Sequence, residues 1–292
     1  MQIFKNTFKE INFQEMININ NLKIVPVQID SLKHDDRIVP FDELYDKGLA
    51  KAEEVSDEGI VSQVKIINDS ENLLFITDGE AIIGAKQNRI AERSVIIQDQ
   101  SDAVVPVYCV ERGRWGYRGS ENARFSKSDF SLSPRTRDKK AEFLKNSDGR
   151  DTQSMVWQDI DEFSEKVNYS SSTSDLGDIL KSRKNDNLFK KIEKVNSNGY
   201  IVFGTGRPFI EVFSDNEICK KNLKKSINVW AADENTVAET FEKPEIYFEK
   251  FNNSEWDMDL SIGLENAFMS KGDNNGRAIF HDDKFVHSYM YF

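Results

Sequence analysis

Residues 77–119 read TDGEAIIGAKQNRIAERSVIIQDQSDAVVPVYCVERGRWGYRG, and the fold class turns on how this stretch is read. The runs EAIIGAK, RSVIIQ and AVVPVYCVE are short, rich in Val and Ile, and separated by Asp, Asn, Gly and Ser, which is the pattern of strands. IVSQVKII and ENLLFIT carry the same pattern upstream from Gly59. Asp78-Gly79 between two apolar runs is a two-residue hairpin signal, and pairing across it predicts Thr77 opposite Glu80 and Phe75 opposite Ile82. Alternation then groups Glu80, Ile82, Gly84, Lys86 and Asn88 on one side unless Gly84 carries a bulge, and groups Val105, Val107, Cys109 and Glu111 on another strand. Pro106 lacks an amide hydrogen, so that strand lies at an edge or carries a bulge.

Working outward, a strand is expected over Ile24 to Ile29, then a short helix in PFDELYDKGLAKAEEVS that breaks at Gly48 and continues extended. Downstream, SENARFSKSDFSLSPRTRDKK is polar and Ser-rich and reads as a long loop or arm. SMVWQDIDEFSEKV sets Trp157, Ile160, Ser164 and Val167 near one helical stripe, and SDLGDILKS reads as a helix capped by Ser174. GYIVFGTGRPFIEVF is a hairpin candidate, Cys219, Leu223, Ile227 and Trp230 repeat at helical spacing, and RAIFHDDKFVHSYMYF is a second hairpin turning at Asp282-Asp283. The expected class is α+β: a largely antiparallel β-sheet core with a helical segment inserted between a β-rich N-terminal half and a C-terminal part built of β-β-α and β-hairpin units. One compact unit is expected over 1–292, subdivided into a β-rich part (1–119), a polar loop and helical lobe (120–198) and a C-terminal α+β part (199–292).

Composition bounds the function. The chain has 292 residues, of which 38% are apolar, and its 20 Phe supply a real core despite 30% charged residues. A net charge of −11 opposes the basic footprint of a duplex nucleic-acid binder. The two cysteines form no CxxC pair and no disulfide framework, and no long apolar run offers a leader or a span. A cytoplasmic protein without membrane contact is therefore expected. GTGRPF holds only GxG, and neither GxxxxGK[ST] nor GxSxG occurs, so no cofactor is expected. The histidines show no HxH or HExxH spacing. His34-Asp35-Asp36 and His281-Asp282-Asp283 could recruit a metal from two places, yet Asp is common in turns, and no metal is expected.

Each candidate residue has a plain reading beside its chemical one. Glu80 and Glu111 are either paired carboxylates for acid–base work or surface residues at strand ends. Lys86, Gln87, Asn88 and Arg89 form a ligand-lining turn or a solvated loop. Cys109 is a small buried hydrophobe or a nucleophile, and no His neighbours it in sequence. Gly113-Arg114-Trp115-Gly116-Tyr117 offers an indole that stacks on a base, or one that caps a sheet edge. From Arg112 to Lys140 nine basic residues face only Glu121, Asp129 and Asp138. Such a run suits an anion carrying a flat ring, or pairs with the protein's own acidic surface.

DGEAIIGAKQNR, followed by VVPVYCVERGRWGYR, resembles the signature of the ARG and Rhodanese-Phosphatase-superfamily-associated Protein domain family. The resemblance extends through MVWQDI, GYIVFGTGRPFIEVF with its following helix, and AIFHDDKFVHSYMYF. The first forty residues and the Ser-rich stretch match less well. The family is named for its association with ADP-ribosylglycohydrolases and phosphatase-like partners, which implies a place in processing or sensing NAD-derived nucleotides. The polar residues carried over are Glu80, Lys86, Gln87, Asn88, Arg89, Cys109, Glu111, Arg114 and Trp115. They imply a small anionic nucleotide ligand, with Arg114 and Arg89 or Lys86 on phosphates, Trp115 on the base, and Glu80 or Glu111 on ribose hydroxyls. One alternative is a hydrolase or glycosidase-like enzyme in which Glu111 or Glu80 stabilises an oxocarbenium-like transition state or activates water. Another is a protein-interaction module built on the basic 112–140 stretch, and a protein partner or a homo-oligomer stays open.

Overall fold

The computed structural model describes residues 1–117, 125–146, 152–183, 185–232 and 242–292. Its largest element is an antiparallel sheet of nine strands. In spatial order these are Ile11–Phe13, Leu22–Ile29, Gly199–Phe203, Phe209–Phe213, Lys284–Tyr291, Asn275–His281, Asn266–Ser270 and Trp256–Met258, with Ile17–Ile19 added onto Leu22–Ile29. Gly199–Phe203 and Phe209–Phe213 are buried at every residue because both faces of the sheet are covered. Tyr200, Val202, Phe209 and Phe213 face the helix Asn216–Ala232 through its Cys219, Leu223, Ile227 and Trp230. Ile201, Phe203, Ile210 and Val212 face an aromatic layer of Phe4, Phe8, Phe248 and Phe251. Both expected C-terminal hairpins form, and Asp282 and Asp283 adopt φ of 49° and 60°, the left-handed pair that matches strand twist in a two-residue turn.

The second body is a closed barrel of six strands: Ser101–Cys109, Gln63–Asn68, Ala50–Glu53, Phe125–Ser131, Glu80–Gly84 and Arg89–Ala91. Small and branched side chains, among them Ala52, Val64, Ile66, Ile82, Ala91, Val105 and Val107, fill its interior with Phe125. Pro106 sits where the Ser101–Cys109 strand exchanges partners, pairing through residue 106 with one neighbour and from Val107 with another. A proline costs no ladder hydrogen bond at such a switch. Ile38–Pro40, Leu73–Ile76 and Val95–Ile97 make a small third sheet. The class is α+β. No helix among the described residues is long and apolar enough to cross a membrane.

Three expectations are corrected. The Asp78-Gly79 turn forms, with Glu80 N–H donating to Thr77 O at 3.0 Å, but its flanking strands do not pair with each other. Leu73–Ile76 pairs with Val95–Ile97 and Glu80–Gly84 enters the barrel, so Phe75 meets Ile96 rather than Ile82. The cap of the helix Leu176–Ser182 is Asp175, whose Oδ1 accepts from Gly177 N–H, and not Ser174. The Ser-rich stretch is not a long loop either. It contains the barrel strand Phe125–Ser131 and the helix Pro134–Asn146, opened by Pro134 and by Ser133 Oγ accepting from Thr136 N–H at 3.1 Å.

That helix hides charge instead of apolar surface. Arg137 and Lys140, one turn apart, are buried, and they meet Asp78, in the turn ahead of a barrel strand, and Glu211, in the nine-stranded sheet. Asp78 accepts from Lys140 Nζ at 2.6 Å, Arg137 Nε at 3.2 Å and Tyr289 Oη at 3.0 Å. Glu211 accepts from Arg137 Nη2 at 2.7 Å and Tyr200 Oη at 2.7 Å, and bonds His287 Nε2 at 2.8 Å. Arg137 also lies 3.8 Å over the Tyr289 ring. This capture of Asp78 explains why the chain leaves its turn toward different sheets.

Removing one partner of such a cluster strands a buried charge, so Arg137→Met is expected to cost about 3–5 kcal/mol in urea denaturation. Burial alone would raise the Glu211 carboxyl, but Arg137 and His287 outweigh it and draw it from 4.5 to about 2. A depressed carboxyl contributes its stability above the unfolded value and loses it as pH falls through the folded one. Stability should therefore fall between about pH 4.5 and about pH 2. Glu211→Gln, less stable at neutral pH, should lose less across that window.

Candidate functional site

Register places a guanidinium inside the barrel mouth. Arg89 pairs with Ile82 on one side and Cys109 on the other, and all three share the face of Ala91 and Val107, which looks inward. Gly84 (φ 116°) and Ala85 (φ 40°) end the preceding strand in a tight turn. Asn88 closes that turn, its Oδ1 accepting from Gly84 N–H at 2.8 Å. The turn breaks the simple alternation, so Arg89, rather than Lys86 or Asn88, continues the inward face.

Arg89 is fully buried, and its Nη1 donates to Gln87 Oε1 at 2.9 Å. Its Nε and Nη2 are buried without an acceptor among the described residues. Burial pushes this guanidinium down from its ordinary value, against the pull of Glu54. Trp115 covers it, the ring centre 5.5 Å from the Arg89 Cζ and 5.5 Å from Lys86 Nζ. Lys86 also lies 5.6 Å from the Tyr117 ring and donates to Asp57 O. With 48% of its surface exposed, Trp115 is a rim residue and not a core anchor. Gly113 has a packing reason to be glycine, since a Cβ there would come within 2.8 Å of Thr173 Cα. Gly116 has none: nothing lies within 4 Å of the same position.

Beside the mouth, Glu111 and Arg114 form a two-pronged pair, Nε to Oε1 at 2.8 Å and Nη2 to Oε2 at 2.6 Å. Arg114 spends its remaining hydrogens on the carbonyls of Gly84, Ala85 and Gly116. Glu111, wholly buried, also accepts from Asn88 N–H and Thr173 Oγ1. Asn88 Nδ2 reaches both oxygens of Asp175 at 3.0 Å, and Gln87 Nε2 donates to Glu111 O. These bonds tie the barrel turn, the 111–116 corner and the capped helix Leu176–Ser182 into one rigid wall.

A model of the ARG and Rhodanese-Phosphatase-superfamily-associated Protein domain family matches residues 10–291. The chain belongs to that family. It matches no curated protein and no solved structure. In this family member the match runs through the whole barrel and the nine-stranded sheet, the 112–140 stretch included.

Of the residues singled out in the sequence, Lys86, Gln87, Asn88, Arg89, Cys109, Glu111, Arg114 and Trp115 gather at the barrel mouth. Glu80 does not. It lies four residues along the strand from Gly84, about 13 Å away at ordinary strand rise. There Lys225 Nζ donates to its Oε1 at 2.5 Å and Thr77 N–H to its Oε2 at 3.1 Å. Glu80 and Glu111 therefore do not form a carboxylate pair. Cys109 is buried, and burial pushes its thiol up, which opposes a nucleophilic role.

The basic run is largely consumed internally: Arg112 pairs with Asp161, Lys127 with Asp46, and Arg135 and Lys139 with Asp159. Arg118 and Arg124 lie outside the described residues. Asp35, His281 and Asp282 bring possible metal-ligating atoms within 4.8 Å of one another. Arg37 takes both oxygens of Asp35 and reaches Asp282, and Lys284 stands 3.6 Å from Asp35, so cations already balance these carboxylates. Sequence reading missed Glu54, whose Oε1 accepts from Lys86 N–H and whose Oε2 is buried without a donor among the described residues. Its position in the polar AEEVSDEG stretch gave no signal.

Arg114→Ala leaves the buried Glu111 without its two-pronged partner and should cost about 3–5 kcal/mol in chemical denaturation. Arg114→Lys, a point charge that cannot reach both oxygens and the three carbonyls, should recover only part of that loss.

Proposed function

We propose that the chain is a binding or sensor protein for an ADP-ribose- or NAD-derived nucleotide, held at the barrel mouth. The observation that carries this reading is the Arg89 guanidinium, buried with Nε and Nη2 unpartnered. Those two nitrogens form the edge of the fork that grips a phosphate or carboxylate with two parallel hydrogen bonds. A buried donor without an acceptor costs free energy, and an anionic group supplies the acceptor. Trp115 supplies an exposed indole for a base to lie against, and Lys86 a second positive charge at the rim. Arg114, expected from sequence to hold phosphate, serves here as a positioning residue, because the chain already uses all of its donor groups. The family's association with ADP-ribosylglycohydrolases is in keeping with such a ligand.

Binding is favoured over turnover because a cation engages each candidate carboxylate: Arg114 holds Glu111, and Lys225 holds Glu80. With ADP-ribose or NAD at about 100 times its dissociation constant, the melting temperature should rise by about 5–10 °C, as about 2.7 kcal/mol of linkage implies. Arg89→Gln and Trp115→Ala should each remove most of that rise, and the half-exposed Trp115 can be replaced without disturbing the core. A nucleotide panel that leaves the melting temperature unchanged would reject the reading, as would a shift that survives both substitutions.

A further inference from the structure

A second arrangement of chemically competent groups lies away from the barrel mouth and shares no residue with it. Ser94, in the turn between Arg89–Ala91 and Val95–Ile97, places its Oγ 2.9 Å from His287 Nδ1. His287 Nε2 lies 2.8 Å from Glu211 Oε1. Arg137, Tyr200 and His287 all favour the ionised Glu211, so Nε2 carries the proton and donates it. Nδ1 is then the acceptor, and the Ser94 hydroxyl donates to it. Asp78 N–H donates to the same Ser94 oxygen at 2.9 Å and fixes its position. Serine, neutral imidazole and carboxylate are thus linked in the order that activates a hydroxyl for attack.

Most of this chain is enclosed by the charged cluster, with Phe213 stacked 4.5 Å from the imidazole and Phe75 and Tyr289 at its edges. Ser94 and His287 border a recess whose other walls include Arg93, Asp259, Phe268 and Arg277. Arg277 is buried, and its Nε and Nη1 have no acceptor among the described residues, while its Nη2 lies 3.4 Å from Asp259. A network serving packing alone would gain nothing from an unsatisfied guanidinium on the wall of the same recess. An oxyanion forming on an attacked carbonyl would satisfy it. The recess admits little more than a water-sized group, so it would take only the methyl of an acetyl ester, with the alcohol part lying outside it.

We propose that Ser94, His287 and Glu211 form a serine hydrolase site that acts on esters of short acyl groups, with Arg277 facing the developing oxyanion. Ser94 Oγ bonds to the ester carbonyl carbon while its proton passes to His287 Nδ1. The tetrahedral intermediate collapses, the C–O bond to the alcohol breaks, and the departing oxygen takes the proton from His287. Water then attacks the acyl–Ser94 ester, its proton again going to Nδ1. The acid is released and Ser94 regains its hydrogen.

The test uses the full chain, methanesulfonyl fluoride as a small serine-directed electrophile and p-nitrophenyl acetate as the ester. The expected result is one methanesulfonyl group per chain, located on Ser94 by peptide mass spectrometry. Ester hydrolysis should accompany it and fall by about 100-fold or more in Ser94→Ala and in His287→Gln. Labelling is read on the unsubstituted chain, so a variant that folds poorly does not obscure the answer. Absence of label on Ser94 under conditions that label a control serine hydrolase would overturn the proposal. So would ester hydrolysis by a folded Ser94→Ala chain at the unsubstituted rate.

Discussion

The fold depends on a pair of carboxylates shut away from water and matched by cations from a single helix. Asp78 leaves the turn ahead of the barrel strand Glu80–Gly84, Glu211 belongs to the nine-stranded sheet, and Arg137 with Lys140 reaches both from the helix Pro134–Asn146. Without that helix, two buried negative charges would lie between the barrel and the sheet without the two cations that touch them. Joined, they hold the barrel against the sheet by directional bonds where an apolar interface would tolerate sliding. The buried Tyr200 and Tyr289 complete the coordination with hydroxyls, so the cluster is satisfied on nearly every side.

Against that background, incomplete satisfaction stands out as a local property. Among the described residues only Arg89 and Arg277 carry two buried nitrogens each without an acceptor. Arg89 lies beneath the half-exposed Trp115, and Arg277 lines the recess beside Ser94. Arg114 and Arg137 instead spend their donors on the chain's own carboxylates, Arg114 also on three carbonyls, and serve the architecture. The same residue type therefore supports the frame at two positions and is left with open donors at two others.

The strands, the two C-terminal hairpins and the helix at 216–232 were legible because their apolar periodicity is strong and their turns carry Asp or Gly. The helix at 134–146 was not, because its buried face is Arg137 and Lys140, and a rule that looks for apolar stripes passes over it. Ser133-Pro134 and Thr136 did announce its start. The site was legible as a set of residues, and all but Glu80 converge, since the turn after Gly84 and the corner after Cys109 are close in the folded chain. Their division of labour was not legible. Arg89 and Arg114 look equivalent in sequence, and only the location of free acceptors, here the carbonyls of Gly84, Ala85 and Gly116 beside Arg114, tells them apart. Glu211 in FIEVF and His287 in KFVHSYMY did break apolar strands, the one available hint of the buried cluster.

In the proposed function the open edge of Arg89 anchors an anionic nucleotide. A crystal structure of the chain with ADP-ribose diffused in tests it most directly. Phosphate oxygens are expected about 2.7–3.2 Å from Arg89 Nε and Nη2, with the adenine lying against Trp115. Ligand bound elsewhere, or an Arg89 whose Nε and Nη2 are taken by the chain's own atoms, would contradict it.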